Sequence, residues 1–410
     1  MRLTRRLFNT GALGALAMTA LPIKAFSQDV TKYNVAMLSD FSGPFADVMK
    51  AVSAGRSAVM NWWNAEIGKG LGVELVGKEY DTRYDAAQVA SMWPGIVSEL
   101  NPLFVAGVGT PDSNALADRL ADEQIPMFTL GGATHAGWVD GSWLFFPRGT
   151  YAHEYAAFLD WVHADQKRTA PVKIGFVGSQ QAGLSVDLHG GIEAYVKQYP
   201  DKAVLVDTIW DVAQPTDLTA PMRRLVNAGA EYVFINTNTA ATVATKRALQ
   251  ALGAKIPIVT TSQNGMPIVG NSLGGLDQME GDYEVYGLAV PITNSGSKAE
   301  EFYNELKEKY GLQAPWIVLT VMGMTQSMLS VRAVEAAVRK FGPADLTGAK
   351  LRDAMVSETL TDDKGIMPAL TFTDQQTFPG AGATVNVGTV KDGKYAIAVA
   401  DIPIPELPKW

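Results

Sequence analysis

After residue 28, short β-rich runs alternate with longer stretches of helical period, and this alternation constrains the fold more than any other feature of the sequence. It is the signature of βαβ units wound around parallel sheets. Strands are predicted at 33–38, 73–76, 103–107 and 126–130, with helices at 45–64, 85–100 and 112–123 between them. The pattern then restarts, with strands at 172–177, 204–209, 232–236 and 256–260 and helices at 184–198, 218–228 and 240–252. Two doubly wound units are therefore expected, joined near 148–151, where a strand-like 143–147 leads into a new helix start. The remaining chain is too short of strands for a third unit. A strand at 284–291, helices at 298–310, 316–341 and 346–356, and a hairpin of 385–390 with 395–399 about Lys391-Asp392-Gly393-Lys394 are better used to complete the first two. That requires three passages between lobes, near 149, 288 and 365. The first lobe is then 28–149 plus 289–365 and the second 150–288 plus 366–410, with a cleft and a hinge between them.

The 410 residues are ample for two cores. The complete absence of cysteine removes disulfides, thiol catalysis and Cys-based zinc or iron–sulfur sites together. The first 27 residues read as an export leader: a basic start, an apolar run from Gly11 to Leu21 too short to span a bilayer, and a small-x-small processing site at Ala25-Phe26-Ser27. Arg5-Arg6 within Thr4-Arg5-Arg6-Leu7-Phe8, with Lys24 near the processing site, matches the twin-arginine type. Removing it takes away Arg2, Arg5, Arg6 and Lys24 and no acid, so the net charge of -8 becomes about -12. No cysteine follows the leader to carry a lipid. A soluble, acidic periplasmic protein is the expectation, with no broad attraction to nucleic acid or anionic membrane.

Several stretches, taken in order, resemble the periplasmic Leu/Ile/Val-binding proteins, the solute receptors of branched-chain amino acid type ABC importers. Val35 to Pro44 is similar to their first strand and Ser-Gly-Pro turn, and Tyr80-Asp81-Thr82 with Asp85 to Ala90 to their second-strand loop and following helix. Gly107 to Ala117 resembles the third strand-to-helix turn, Ile125 to Thr134 the segment ending in Ala-Thr, and Ala228 to Val233 the Ala-Gly-Ala-acid strand. The resemblance implies a type I periplasmic binding fold, two α/β lobes hinged by three crossings. It also implies an ABC permease in the inner membrane as partner, a monomer, no cofactor and no metal.

For the site, the resemblance places Gly132, Ala133 and Thr134 where a ligand's α-group is held, and the turn Thr110, Pro111, Ser113 where hydroxyls and amides grip a carboxylate. The physical ground for that turn is independent: a strand end running into a helix N-terminus presents free N–H groups to an anion. An N-cap role for Asp112 or Ser113 is the plainer alternative and is compatible with it. Phe45, following Gly43-Pro44 at a strand's carboxyl end, is a candidate contact because open α/β sheets bind ligands at that end. Where amino acid receptors set tyrosines and an acid against the ligand's ammonium, this chain has Gln181 and Ala182, Asn238 and Asn264. A buried ammonium without its countercharge is costly, so a carboxylate or amide ligand fits better than an α-amino acid.

Other chemistry finds little support. His135, His153, His163 and His189 lack metal-ligand spacing. There is no phosphate loop or His-Glu-x-x-His, and Asp362-Asp363 falls in a polar loop where solvation is expected. One ring of Trp62-Trp63 is expected in the core and the other at a surface. The reading is a non-enzymatic solute receptor for ABC import. The alternatives are a periplasmic ligand sensor of the same fold and, less favoured, a secreted hydrolase.

Overall fold

The computed structural model describes residues 30–131, 134–180, 182–210, 215–293, 295–380 and 383–410. The leader assigned to 1–27 lies outside them. The first lobe opens with β1 (Thr31–Ser39), α1 (Ala46–Trp63), a π-helical turn at Asn64–Gly68, α2 (Lys69–Leu71), β2 (Val73–Asp81) and α3 (Ala86–Leu100). It continues with β3 (Phe104–Gly107), α4 (Thr110–Glu123), β4 (Met127–Thr129), a 3-10 turn at Thr134–Trp138 and β5 (Leu144–Phe145). These strands form a parallel sheet in the order β2-β1-β3-β4-β5.

The second lobe runs α5 (Tyr151–Asp165), β6 (Val172–Gly178), α6 (Gly183–Gln198), β7 (Ala203–Trp210), α7 (Thr219–Asn227), β8 (Tyr232–Asn236), α8 (Thr239–Ala251), β9 (Ile258–Thr261), α9 (Met266–Leu273) and β10 (Tyr283–Tyr286). Then α10 (Lys298–Lys309), α11 (Val318–Phe341) and α12 (Gly348–Ser357) return to the first lobe, and β11 (Thr384–Lys391) and β12 (Lys394–Pro403) close the second. Its sheet has the order β12-β11-β10-β9-β8-β6-β7, parallel except for the antiparallel β10–β11–β12 edge. Both lobes are thus doubly wound α/β units.

The first-lobe core is organised by α11, which is buried over nearly its whole length. It packs closely on α1 because a glycine on each helix meets the backbone of the other. A Cβ on Gly55 would fall 2.4 Å from the Thr320 carbonyl, and one on Gly323 2.0 Å from that of Val52. Arg56, fully buried, donates to the Leu38 carbonyl (2.8 Å), the Gly107 carbonyl (2.9 Å) and Gln326 Oε1 (2.5 Å). One side chain therefore ties the carboxyl ends of β1 and β3 to α11, which fixes the strand ends from which the site is built.

Three expectations change here. Trp62 and Trp63 are both buried, because α10 and α11 cover both faces of α1: Trp62 meets Phe302 edge-on at 4.8 Å and Trp63 Nε1 donates to Glu335. Asp362 is not solvated; its carboxylate pairs with Arg332 and accepts from the amides of Lys364, Ile366 and Met367. The passage placed near 365 also falls later. Leu360 and Leu370 pair as a bridge, and Ile366, Met367, Leu370 and Phe372 pack into the α11 core, so the chain stays with the first lobe as far as Phe378. At the other two passages a buried ion pair joins Arg148 to Glu154, and Glu154 accepts from the Gly287 amide at 2.8 Å. The segments at 148–154 and 287 are thereby pinned to each other.

Candidate functional site

The cleft lies between the carboxyl ends of the two sheets. From the first lobe, the Asp40 carboxylate accepts from the amides of Gly43 (2.5 Å) and Phe45 (2.8 Å), which folds the β1 turn so that the Phe45 ring faces the cleft. Beside it, Asp81 organises the β2 loop by accepting from Phe41 N, Ser42 Oγ and Arg83 N. Arg83 and Tyr84 follow in consecutive left-handed conformations, φ 55° and 54°, which non-glycine residues adopt at a cost. That geometry turns the Tyr84 ring edge-on to Phe45 at 4.6 Å. Its hydroxyl lies against the Thr110 amide, and burial holds its pKa well above the usual phenol value.

Thr110 opens α4. The buried Asp112 carboxylate accepts from Val108 N (2.6 Å) and Gly109 N (3.3 Å), closing a capping arrangement. Burial pushes this carboxyl up to about 6, against the pull of those amides and of Arg56. The Thr110 hydroxyl, almost fully buried, has no partner, although Thr110 lines the cleft.

From the second lobe come Ser179, Ala182 to Ser185, Asn236, Thr237, Asn238 and Gln263. These groups are largely engaged with one another. Asn236 Nδ2 donates to Thr261 Oγ1 at 3.2 Å, Gln263 Nε2 to the Thr237 carbonyl at 2.9 Å, Asn238 caps α8 through Ala241 N, and Ser185 Oγ donates to the Asn236 carbonyl.

The space so enclosed measures about 340 Å³. It opens inward, past Phe45, Tyr84, Leu184 and Gln263, onto an apolar pocket of about 40 Å³ walled by Val48, Met49, Val52, Leu130, Leu319 and Met322. Among the described residues the only charged side chain on the main cleft wall is Asp85, whose carboxylate already caps α3 through Gln88 N. The site is therefore a polar chamber with a single carboxylate, Asp85, on its described wall and an apolar floor.

Of the residues expected at the site, Phe45, Thr110, Pro111 and Asn238 line this cleft. Gly132, Ala133 and Gln181 lie outside the described residues. Three candidates lie elsewhere. Ser113 Oγ donates to the Gly109 carbonyl at 3.0 Å, inside the first turn of α4, and is turned away from the cleft. Asn264 sits behind the wall, donating to the Thr237 carbonyl (2.8 Å) and Thr242 Oγ1 (3.2 Å), and its neighbour Gln263 reaches the cleft instead. Thr134 is fully buried, and both its amide and its hydroxyl donate, at 2.8 Å each, to Asp187 Oδ2. Asp187 belongs to α6, so this is a contact between lobes, with His135 Nδ1 3.5 Å from the other carboxylate oxygen. Sequence reasoning missed Tyr84, Asn114, Gln263 and Asp187. No metal-binding cluster of His, Asp and Glu occurs among the described residues, and none of their helices is long and apolar enough to cross a membrane.

A family model described as periplasmic binding protein matches residues 32–394. The chain belongs to that family. Members are non-enzymatic periplasmic proteins that bind small molecules and deliver them to ABC permeases. No curated protein matches the sequence significantly. Among solved structures, this family member is similar to a branched-chain amino acid ABC transporter protein from Thermus thermophilus with bound valine (18% identity, TM-score 0.77, 92% of this chain and 97% of that one). It is also similar to an R. palustris solute-binding protein in complex with 4-hydroxybenzoate (17%, TM-score 0.71, 93% and 99%) and to a leucine-binding protein from Thermotoga maritima (16%, TM-score 0.70, 90% and 98%). At these identities the likeness carries the two-lobed type I fold and leaves the ligand open.

Proposed function

We propose that this protein is the solute receptor of an ABC importer for a small organic acid or amide without an ammonium group. Its polar end sits at the Thr110 turn and its apolar body toward Phe45 and the inner pocket. The observation that carries this is the buried, unpartnered Thr110 hydroxyl at the opening of α4, in a residue lining a cleft whose one charged side chain among the described residues, Asp85, already caps α3. A carbonyl or carboxylate oxygen would accept from that hydroxyl and take the place of the Tyr84 hydroxyl at the α4 amides. Displacement of Tyr84 would relieve its left-handed backbone and uncover the apolar floor. The α-ammonium of an amino acid would lose its hydration there with no countercharge but Asp85, which is held at the N-terminus of α3 by the Gln88 amide. The solved relatives include proteins with valine and with 4-hydroxybenzoate bound, and the wall chemistry of this chain favours the second kind of ligand.

In this reading the leader at 1–27 exports the chain by the twin-arginine route. The mature protein acts as a soluble monomer, and its lobes close about the three passages. Closure follows because the ligand contacts both walls and so binds the closed form better than the open one. The test is thermal melting against aromatic and aliphatic carboxylates, their amides, and the matching amino acids. Ligand at about 100 times its Kd adds about 2.7 kcal/mol of stability. A deaminated acid or amide is expected to stabilise the protein while the matching amino acid binds at least about 100-fold more weakly. Tight binding of leucine or valine would overturn the ligand class and leave the family assignment intact.

A further inference from the structure

A second cavity between the lobes shares no residue with the cleft. It measures about 190 Å³, and its walls are Ile292, Thr293 and Trp316 on the first-lobe side and Pro267, Glu284 and Tyr395 on the second. One water needs only about 10–15 Å³, so there is room for a small organic ion.

Glu284, on β10, is fully buried. Its oxygens accept from Met266 N (3.1 Å) and Tyr395 Oη (2.8 Å), which fixes the carboxyl and leaves further lone pairs for an occupant. It has no basic partner among the described residues, and the charged group acting on it is another acid, Glu154. Asp40 is likewise buried without a cation, but two backbone amides of its own turn hold it; buried Glu154 pairs with Arg148, Asp282 with Lys246, and Asp362 with Arg332. Burial without a cation pushes the Glu284 carboxyl up to about 7.

The aromatic walls are held in place independently. Trp316 Nε1 donates to the Thr293 carbonyl at 3.1 Å, and its ring packs against Tyr303 at 5.0 Å. Tyr395 reaches Glu284 only by crossing Gly388, where any Cβ would lie 2.0 Å from its hydroxyl.

A buried carboxylate lacking a cation, lining a cavity of this size together with an indole and a phenol, matches the chemistry of a compact ammonium. We propose that this cavity is a second binding site, for a small organic ammonium ion seated on the Glu284 carboxylate between Trp316 and Tyr395. An occupant would touch both lobes. The site is independent of the ligand assigned to the main cleft, so a failed acid panel leaves it standing.

The experiment is calorimetric titration of the purified protein with tetramethylammonium and methylammonium chloride, with sodium chloride at equal ionic strength as the blank. Saturable binding of at least one ammonium is expected, weakened about tenfold or more by Glu284→Gln and by Trp316→Leu. If Glu284→Gln does not fold, Trp316→Leu carries the test alone, since it removes one ring and keeps the carboxyl. Absence of saturable binding to both ions, or unchanged affinity in a folded variant of either residue, would overturn the site.

Discussion

The two walls of the main cleft use similar residue types in opposite ways. On the first lobe the Thr110 hydroxyl lies buried without a partner, and the amide beside it meets only the Tyr84 hydroxyl. On the second, Asn236, Gln263, Asn238 and Ser185 bond to one another and to the backbone around the ends of β8 and β9. Among the described residues, the unpartnered buried atoms nearest that wall, Asn264 Oδ1 and Thr239 Oγ1, belong to residues set behind the cleft surface. A polar group already hydrogen-bonded gains little from a ligand, whereas one left open in a buried site gains the whole of a missing bond. Recognition is therefore expected to concentrate on the first lobe, with the second supplying shape and the closing contact through Asp187.

The largest effect should come from that closing contact. Asp187→Ala leaves the Thr134 amide and hydroxyl buried and unpaired whenever the lobes are shut, at about 2–4 kcal/mol for two bonds to a charged acceptor. Calorimetry with the best ligand should show affinity reduced roughly 30-fold or more. Small-angle scattering should show the ligand-free variant more extended. Unchanged affinity would mean that the second wall contributes nothing to closure.

Next in size is Thr110→Val, which keeps the shape and removes the open hydroxyl. A loss of about 1–2 kcal/mol in binding is expected, with melting of the free protein nearly unaltered because the group makes no bond there. Loss of stability with unchanged affinity would reverse the assignment of roles to the two walls.

A smaller effect separates acid from amide ligands. Asp112, pushed up to about 6, lies two residues after Thr110 in the first turn of α4, with Arg56 and Asp40 as its charged neighbours. An anion bound at Thr110 raises that carboxyl further, so binding takes up a proton and affinity falls as pH rises through about 6. Titrations between pH 5 and 7.5 should show roughly a threefold fall for a carboxylate and none for its amide. A flat profile for an acid would place its charge away from α4.

The fold was legible because alternation and helical period are local properties. Runs such as Val172–Gly178 and Tyr232–Asn236 needed only β-rich composition between helical stretches. The third passage was misplaced because 361–378 contains an apolar run whose destination depends on a bridge between Leu360 and Leu370, which composition does not encode. The short α9, Met266–Leu273, was missed for its proline and glycine. At the site, Phe45, Thr110 and Pro111 were readable as residues at strand ends. Tyr84 was not, since two consecutive left-handed non-glycine residues leave no compositional mark. Sequence spacing points to Asn264 and not to Gln263, because the loop after β9 sets which amide turns outward. Asp187, in the middle of a helix, becomes functional only when the other lobe arrives.

The smallest expected effect is the sharpest check on the first wall. Ser113 was a reasonable candidate for an anion grip, being a hydroxyl in the turn that opens α4. Its Oγ, however, donates to the Gly109 carbonyl, which already accepts from the Ser113 amide at 3.1 Å. Ser113→Ala removes a second bond to an acceptor that keeps its first, leaves no donor stranded and introduces a better helix former, so stability should move by no more than about 0.5–1 kcal/mol. Ligand affinity should not move at all. A tenfold loss of affinity in this variant would mean that Ser113 turns outward on binding, and that the grip spans the whole turn instead of resting on Thr110.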